Sequence, residues 1–415
     1  MRNTLTLFGV FTIVLLLACG ALEAQPLDLL ITKGHVIDPK NNINGVMDVG
    51  IVDGKIAEVS SKISKGAKKT IDASGLYVVP GLIDIHGHHH YGTEPDHYLS
   101  NGYSALPPDG FTFRSGVTTV VDAGGAGWQN FGQFKEQAID NSRTRVLAFL
   151  NIVGAGMRGG AYEQNADDMD PKLTAMVARR YADYVVGIKL AHYSGKEWGP
   201  TELAVEAGKL ADIPVMVDFG GSEPPLSLET LFLEKLRPGD IFTHCFANVS
   251  GREPIVENGK VRPFVIEAQK KGIIFDVGHG GGSFLYSQAA PALKQGFKPN
   301  SISTDLHTGS MNGGMKDQAN VMSKLLNLGM PLNEVIAAST WNPAQIIKRE
   351  ELGNLSVGSG ADVAIIKVEK GEFGFVDVKG FKMTGDQKIV CEMTLRDGNV
   401  VWDLNGLGAT PFSGK

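Results

Sequence analysis

The sequence predicts an α/β fold: a (β/α)8 barrel of the TIM type, with a small β-sandwich domain built from both chain ends. Two patterns carry this reading. From Gly81 onward, short apolar runs of strand length alternate with stretches of helical period, and the apolar runs number eight. On either side of that region, strand-like runs and turn signals stand instead. Alternation of this kind gives a parallel sheet wrapped by crossovers, and eight units close into a barrel of about 250 residues. A chain of 415 residues has room for that barrel and one smaller domain.

Residues 1–24 stand apart from the rest. Arg2 supplies a positive start, and Leu5 to Ala18 is mostly apolar. The run is short for a membrane span and has the proportions of a signal peptide. Leu16-Leu17-Ala18-Cys19 is similar to a bacterial lipobox, which would put lipid on Cys19. The other endings are cleavage near Ala24 or an uncleaved anchor. Either cleavage would export the chain, to the periplasm or to a lipid anchor on the outer side of a bacterial membrane. The three cysteines, at 19, 245 and 391, do not make a disulfide framework.

The β domain is expected over 25–80 plus 350–410. Leu29-Leu30-Ile31, Asp48 to Val52 and Ile56 to Val59 are strand-like, and Asp53-Gly54-Lys55 is a hairpin turn signal. Ala361 to Ile366 and Glu392 to Val401 repeat that texture near the other end. The barrel is expected over 81–349, with strands at 82–88, 117–122, 145–152, 185–190, 214–219, 240–246, 273–279 and 301–306. Pro171–Tyr184, Thr201–Ala211 and Val261–Lys271 are among the helices between them. A net charge of −6 with 20% charged residues argues against a nucleic-acid partner and leaves a small-molecule substrate. A homodimer is the default assembly for a soluble enzyme.

In such barrels the chemistry sits at the C-terminal strand ends, where polar side chains pointing inward need a reason. In Gly81-Leu82-Ile83-Asp84-Ile85-His86-Gly87-His88, strand alternation puts Ile83 and Ile85 on one face and Asp84, His86 and His88 on the other. Strand 4 ends in Lys189, strand 5 in Asp218, strand 6 in Thr243-His244, strand 7 in Gly278-His279 and strand 8 in Thr304-Asp305. Histidines with carboxylates suit Zn2+ or a similar ion. A buried lysine among cations is costly, and becomes sensible as a carbamate formed with CO2, a carboxylate on a long arm. Asp305 is the candidate general base as well as a ligand, taking a proton from water that the metal activates. His279, Tyr193 and His307 are candidate substrate contacts. Asp84 is read as orienting a ligand, and Asp122 as structural. His89, His90 and His97 read as solvated loop residues, His192 as a rim residue within reach of substrate, His35 as structural and Cys245 as core.

These residues are where a family resemblance enters. The chain resembles the amidohydrolase superfamily over nearly all of its mature length, through Pro80 to His88, Lys189, His244, Asp305, Trp341-Asn342-Pro343-Ala344 and Gly358 to Val363. Within it, Thr243 to Phe246, Phe275 to Gly280 and Ser303 to His307 are most similar to the dihydroorotase-like deacetylase group. The resemblance implies a binuclear zinc-type centre bridged by carboxylated Lys189, with His86, His88, Asp218, His244 and Asp305 as the remaining ligands. Two departures matter. True dihydroorotases follow the His-x-His pair with an Arg that grips the substrate carboxylate, whereas this chain continues His89-His90-Tyr91. The family also expects His at the end of strand 5, where this chain has Asp218. Asp218 leaves open one ion or two, and Mn2+ beside Zn2+. The expected function is metal-dependent hydrolysis of an ester or amide in a small acylated substrate, a deacetylase or deacylase reaction. The alternatives are cyclic amide hydrolysis, or a non-catalytic binding protein on the same barrel.

Overall fold

The computed structural model describes residues 26–91 and 104–413; the expected signal segment with Cys19, and His97, lie outside the described residues. Five strands open the described chain: β1 (Leu27–Asp38), β2 (Ile43–Val52), β3 (Lys55–Ser60), β4 (Ala67–Asp72) and β5 (Tyr77–Pro80). The barrel follows with β6 (Leu82–Gly87), β7 (Val117–Gly127), β8 (Arg145–Asn151), β9 (Val185–Tyr193), β10 (Val215–Phe219) and β11 (Ile241–Phe242). A two-residue hairpin, β12 (Val256–Glu257) and β13 (Lys260–Val261), precedes the last regular barrel strand, β14 (Ile274–Phe275). Then come β15 (Val363–Val376), β16 (Lys382–Arg396) and β17 (Asn399–Asp403).

The seven barrel strands form one parallel sheet in the order β14-β11-β10-β9-β8-β7-β6. The expected eighth strand, 301–306, closes the ring through single bridges, Asp276 to Ser301 on one side and Gly87 to Leu306 on the other. Its backbone also receives Val277 N–H and His279 N–H and donates Asp305 N–H to His86 O. The late strands are shorter than the apolar runs predict because the chain kinks where the polar residues begin. His244 (φ 59°), Gly278 (φ 46°) and Asp305 (φ 49°) all take the left-handed conformation, which ends a ladder.

The helices lie where the periodicity puts them, with shifted ends. Pro171–Arg180 starts on a proline in its first turn, with the Asp170 carboxylate accepting the Lys172 and Leu173 amides. It stops four residues before Tyr184, where Tyr181 leaves helical geometry. Gly199–Ala211 ends at left-handed Asp212, and Pro263–Lys271 at left-handed Gly272.

The strands from both chain ends form a single eight-stranded sheet, ordered β17-β16-β15-β5-β1-β2-β3 with β4 on β1. The two ends of the chain meet where β15 runs antiparallel to β5, Val363 opposite Pro80. The sheet folds over on itself, so that the β2–β3 turn at Gly54 touches the β16–β17 turn at Asp397 and Gly398. One apolar cluster, from Leu29 and Ile51 to Val363 and Leu395, fills the space between. β15 and β16 extend well past the predicted runs, and their far ends reach the barrel mouth.

Candidate metal centre

The simple alternation expected for strand 1 does not carry through. Ile83 and Ile85 join Val121, Leu147, Phe149, Met216 and Ile241 in an apolar cluster. His86 and His88 nevertheless reach Asp305 across the barrel mouth. The register with β7 shifts between Asp84 and Gly87, and this irregularity turns both Ile85 and His86 inward. Asp84 faces strand 8 instead. Its carboxylate accepts the His86 and Thr304 amides at 3.2 and 3.0 Å and the Thr304 hydroxyl at 2.5 Å. Burial pushes its pKa up to about 7.

Two groups of donors meet at the mouth. In the first, His88 Nε2 lies 2.9 Å and His86 Nε2 3.6 Å from Asp305 Oδ1. The candidate donor atoms of these three buried residues all lie within 4.8 Å of one another. Lys189, fully buried, brings Nζ to 3.4 Å from His86 Nε2. In the second, Asp218 Oδ2 lies 3.1 Å from His244 Nε2. The His86 and His244 rings, 4.9 Å apart between centroids, join the two.

The rings are oriented by the protein. His86 Nδ1 meets the Thr243 hydroxyl at 2.8 Å, and that hydroxyl donates to Asp276 Oδ2 at 2.8 Å. Its proton is thereby committed, so it accepts from His86 Nδ1–H and leaves the Nε2 lone pair facing the site. Ser301 and Ser303 donate to the same Asp276 carboxylate at 2.6 and 2.7 Å. His244 Nδ1–H donates to Gly278 O at 2.5 Å, which leaves its Nε2 free in the same way. Burial, then Lys189, drives the His86 pKa down to about 3. Burial pushes the Asp305 carboxyl up, but His86, His88 and His244 outweigh it and hold the group below the usual range. Burial likewise opposes ionisation of Asp218, and His244, His192 and Arg252 overcome it.

Lys189 is the unusual member. Among the described residues its amine meets only His86 Nε2 and Met216 Sδ, and burial drives its pKa down. A β-carbon at Gly124 would lie 2.7 Å from Lys189 Cγ, and Gly124 has φ 94°. Gly124→Ala is therefore expected to cost about 1–3 kcal/mol of stability and to displace Lys189. Denaturant unfolding and metal content of the variant check both effects; an unchanged midpoint would refute the close approach.

Of the candidate substrate contacts, His307 sits at the rim with Nε2 3.9 Å from Asp305 Oδ2. Tyr193 lines a loop pocket with Phe219, Gly220 and Arg252. His279 is turned inward: its ring stacks on Phe284 at 4.6 Å, and its Nε2 takes the Lys324 amine at 2.7 Å. The buried Lys324 amine also donates to Gly314 O and to Val376 O at the end of β15, tying that strand to the barrel mouth. His89 and His90 are not solvated loop residues; both are fully buried. Their amides are taken by Asp122 Oδ2 at 2.6 and 3.1 Å, which gives Asp122 its structural role.

Several site residues were not foreseen. Asp276 is a charge within an apolar strand, a signal present in the sequence. Thr243 lies beside a predicted ligand. Glu163, on the short 3-10 helix Gly160–Gln164, and Arg252, in a turn, come from segments with no readable pattern; Arg252 Nη1 lies 3.2 Å from Asp218 Oδ1.

Fold and site together define a barrel hydrolase with its donor cluster at the C-terminal ends of the strands. The chain belongs to the amidohydrolase family. That family's model matches residues 286–401. A deacetylase of Agrobacterium fabrum is 36% identical over 337 residues, 79% of this chain and 80% of the relative. A crystal structure of an adenine deaminase superposes with TM-score 0.81 at 31% identity, covering 91% of this chain and all (100%) of that one. A crystal structure of a dihydroorotase gives 0.80 at 30% identity, covering 90% and 99%. Three activities on one fold mean that this chain's own reaction must be argued from its site.

The donors fit a divalent cation. Imidazole lone pairs and carboxylate oxygens converge, and a buried amine lies among them without a carboxylate partner.

Proposed function

We propose that the protein is a metal-dependent deacylase acting on a small acylated substrate, with acetyl as the favoured acyl group. The observation that carries this is the convergence of His86, His88, Lys189, Asp218, His244 and Asp305 at one barrel mouth. Those residues would hold one or two ions, zinc or, given the carboxylate of Asp218, manganese. When bound, the metal supplies a Lewis acid for the acyl carbonyl and lowers the pKa of water. Asp305 Oδ1 is engaged by His88, so Oδ2 is the atom that takes the proton from the attacking water. The same atom returns that proton to the leaving oxygen or nitrogen. Lys189 Nζ, pushed toward its neutral form by burial, would add to CO2; a nitrogen–carbon bond forms, the amine loses a proton to solvent, and an anionic carbamate results. The A. fabrum deacetylase supports the acyl chemistry.

The dihydroorotase neighbour keeps cyclic amide hydrolysis as the rival. His90 stands where that reaction would need an Arg, and it is buried with Nδ1 at 3.2 Å from Gly125 O, unable to grip a carboxylate in the mouth. Assay of the zinc- or manganese-loaded protein against N-acetyl and O-acetyl acids, dihydroorotate and hydantoins separates the two. The acetyl compounds are expected to lead in kcat/KM by about 100-fold or more. Preference for dihydroorotate or a hydantoin would sink the deacylase reading.

A further inference from the structure

The Asp218 carboxylate divides its oxygens between two kinds of partner. Oδ1 takes the buried Arg252 guanidinium at 3.2 Å, while Oδ2 faces His244 Nε2 at 3.1 Å and His192 Nε2 at 3.4 Å. In both rings the other nitrogen is already committed. His244 Nδ1–H donates to Gly278 O, and His192 Nδ1–H donates to Glu163 Oε2 at 2.9 Å. A carbonyl and a carboxylate can only accept, so each ring holds a hydrogen on Nδ1 and directs its Nε2 at the Asp218 oxygen. Two imidazole nitrogens thus flank one carboxylate oxygen, a donor set that suits a divalent cation, while Arg252 serves the opposite oxygen.

His192 is built to stay there. It sits three residues past Lys189 on β9 in the left-handed conformation, φ 52°. Glu163, 3% exposed, is itself anchored by Gly159 N–H at 3.1 Å. A buried carboxylate on Nδ1 is the usual device that fixes the tautomer and direction of a metal-binding imidazole.

We propose that His192, oriented by Glu163, is a metal ligand that forms with Asp218 and His244 the corner for a second divalent cation. The assignment rests on the metal-dependent reading above. Two imidazoles and one carboxylate suit a borderline ion such as zinc or cobalt. His192 thereby supplies, from strand 4, the imidazole that strand 5 lacks.

The test uses the full chain loaded with zinc or cobalt(II) and dialysed, with metal equivalents per chain and the cobalt visible spectrum as readouts. The wild type is expected to hold two equivalents and His192→Asn one, with a changed cobalt spectrum. Glu163→Gln is expected to hold two at saturation, with the weaker ion bound about 10–100-fold less tightly. His35→Asn, in the small sheet where His35 pairs with Asn44, should match the wild type. H192N with the wild-type stoichiometry, affinity and spectrum overturns the assignment. If H192N does not fold, unchanged affinity in E163Q overturns it. A wild-type chain that takes up no metal overturns the metal-dependent reading itself, and this corner with it.

Discussion

Asp305→Asn is expected to lower kcat/KM by about 10^3-fold or more while leaving the fold intact. The substitution keeps the shape of the side chain and an oxygen for the His88 contact at 2.9 Å. It removes the basic oxygen and the charge that His86, His88 and His244 stabilise. The backbone needs no repair, because the left-handed conformation at φ 49° is among those asparagine adopts readily. Metal content should fall by less than one equivalent, since His86, His88, Lys189 and His244 remain. Steady-state kinetics with elemental analysis of the same preparation checks this. A variant within tenfold of wild type would remove Asp305 as the base; a variant that loses all metal would make it a ligand first and a base second.

The sequence made the barrel legible for a physical reason. Fully buried parallel strands read as unbroken apolar runs, and Val146 to Leu150 or Val215 to Val217 can hardly be anything else. The strand-end polar residues were legible too, because a charge closing such a run, as at Lys189 or Asp218, has no place in an ordinary core. What was not legible depends on backbone irregularity and on loops. Period-two alternation assumes a regular strand, and the shift between Asp84 and Gly87 breaks it, sending Asp84 to Thr304 and His86 into the mouth. The late strands look long in sequence, but His244, Gly278 and Asp305 kink them. His89 and His90 read as solvated because a loop usually is, yet Asp122 collects both amides and pulls the segment inside. Glu163 and Arg252 reach the site from segments whose sequence carries no period, so only their contacts identify them.

Lys189→Ala tests the proposed carbamate, and it too should lower kcat/KM by about 10^3-fold or more, since an anion that would hold the ions goes with it. The argument starts from what surrounds the amine. Among the described residues no carboxylate touches the amine, and burial outweighs the pull of Asp218, Asp305 and Asp276, pushing the group toward its neutral, nucleophilic form. Addition of CO2 would turn it into an anion able to ligate a metal beside the imidazoles. Truncation to alanine leaves space where the lysine side chain stood, between Gly124 and Met216. A small carboxylic acid such as acetate or propionate should enter and restore at least about tenfold of the lost rate, with metal content rising in parallel. Lys189→Met fills the same space without an anion, so it should be as inactive as the alanine variant and deaf to added acid. Rescue of both variants, or of neither, while the wild type ignores removal of bicarbonate and CO2 would mean that Lys189 acts as an amine and not as a carbamate.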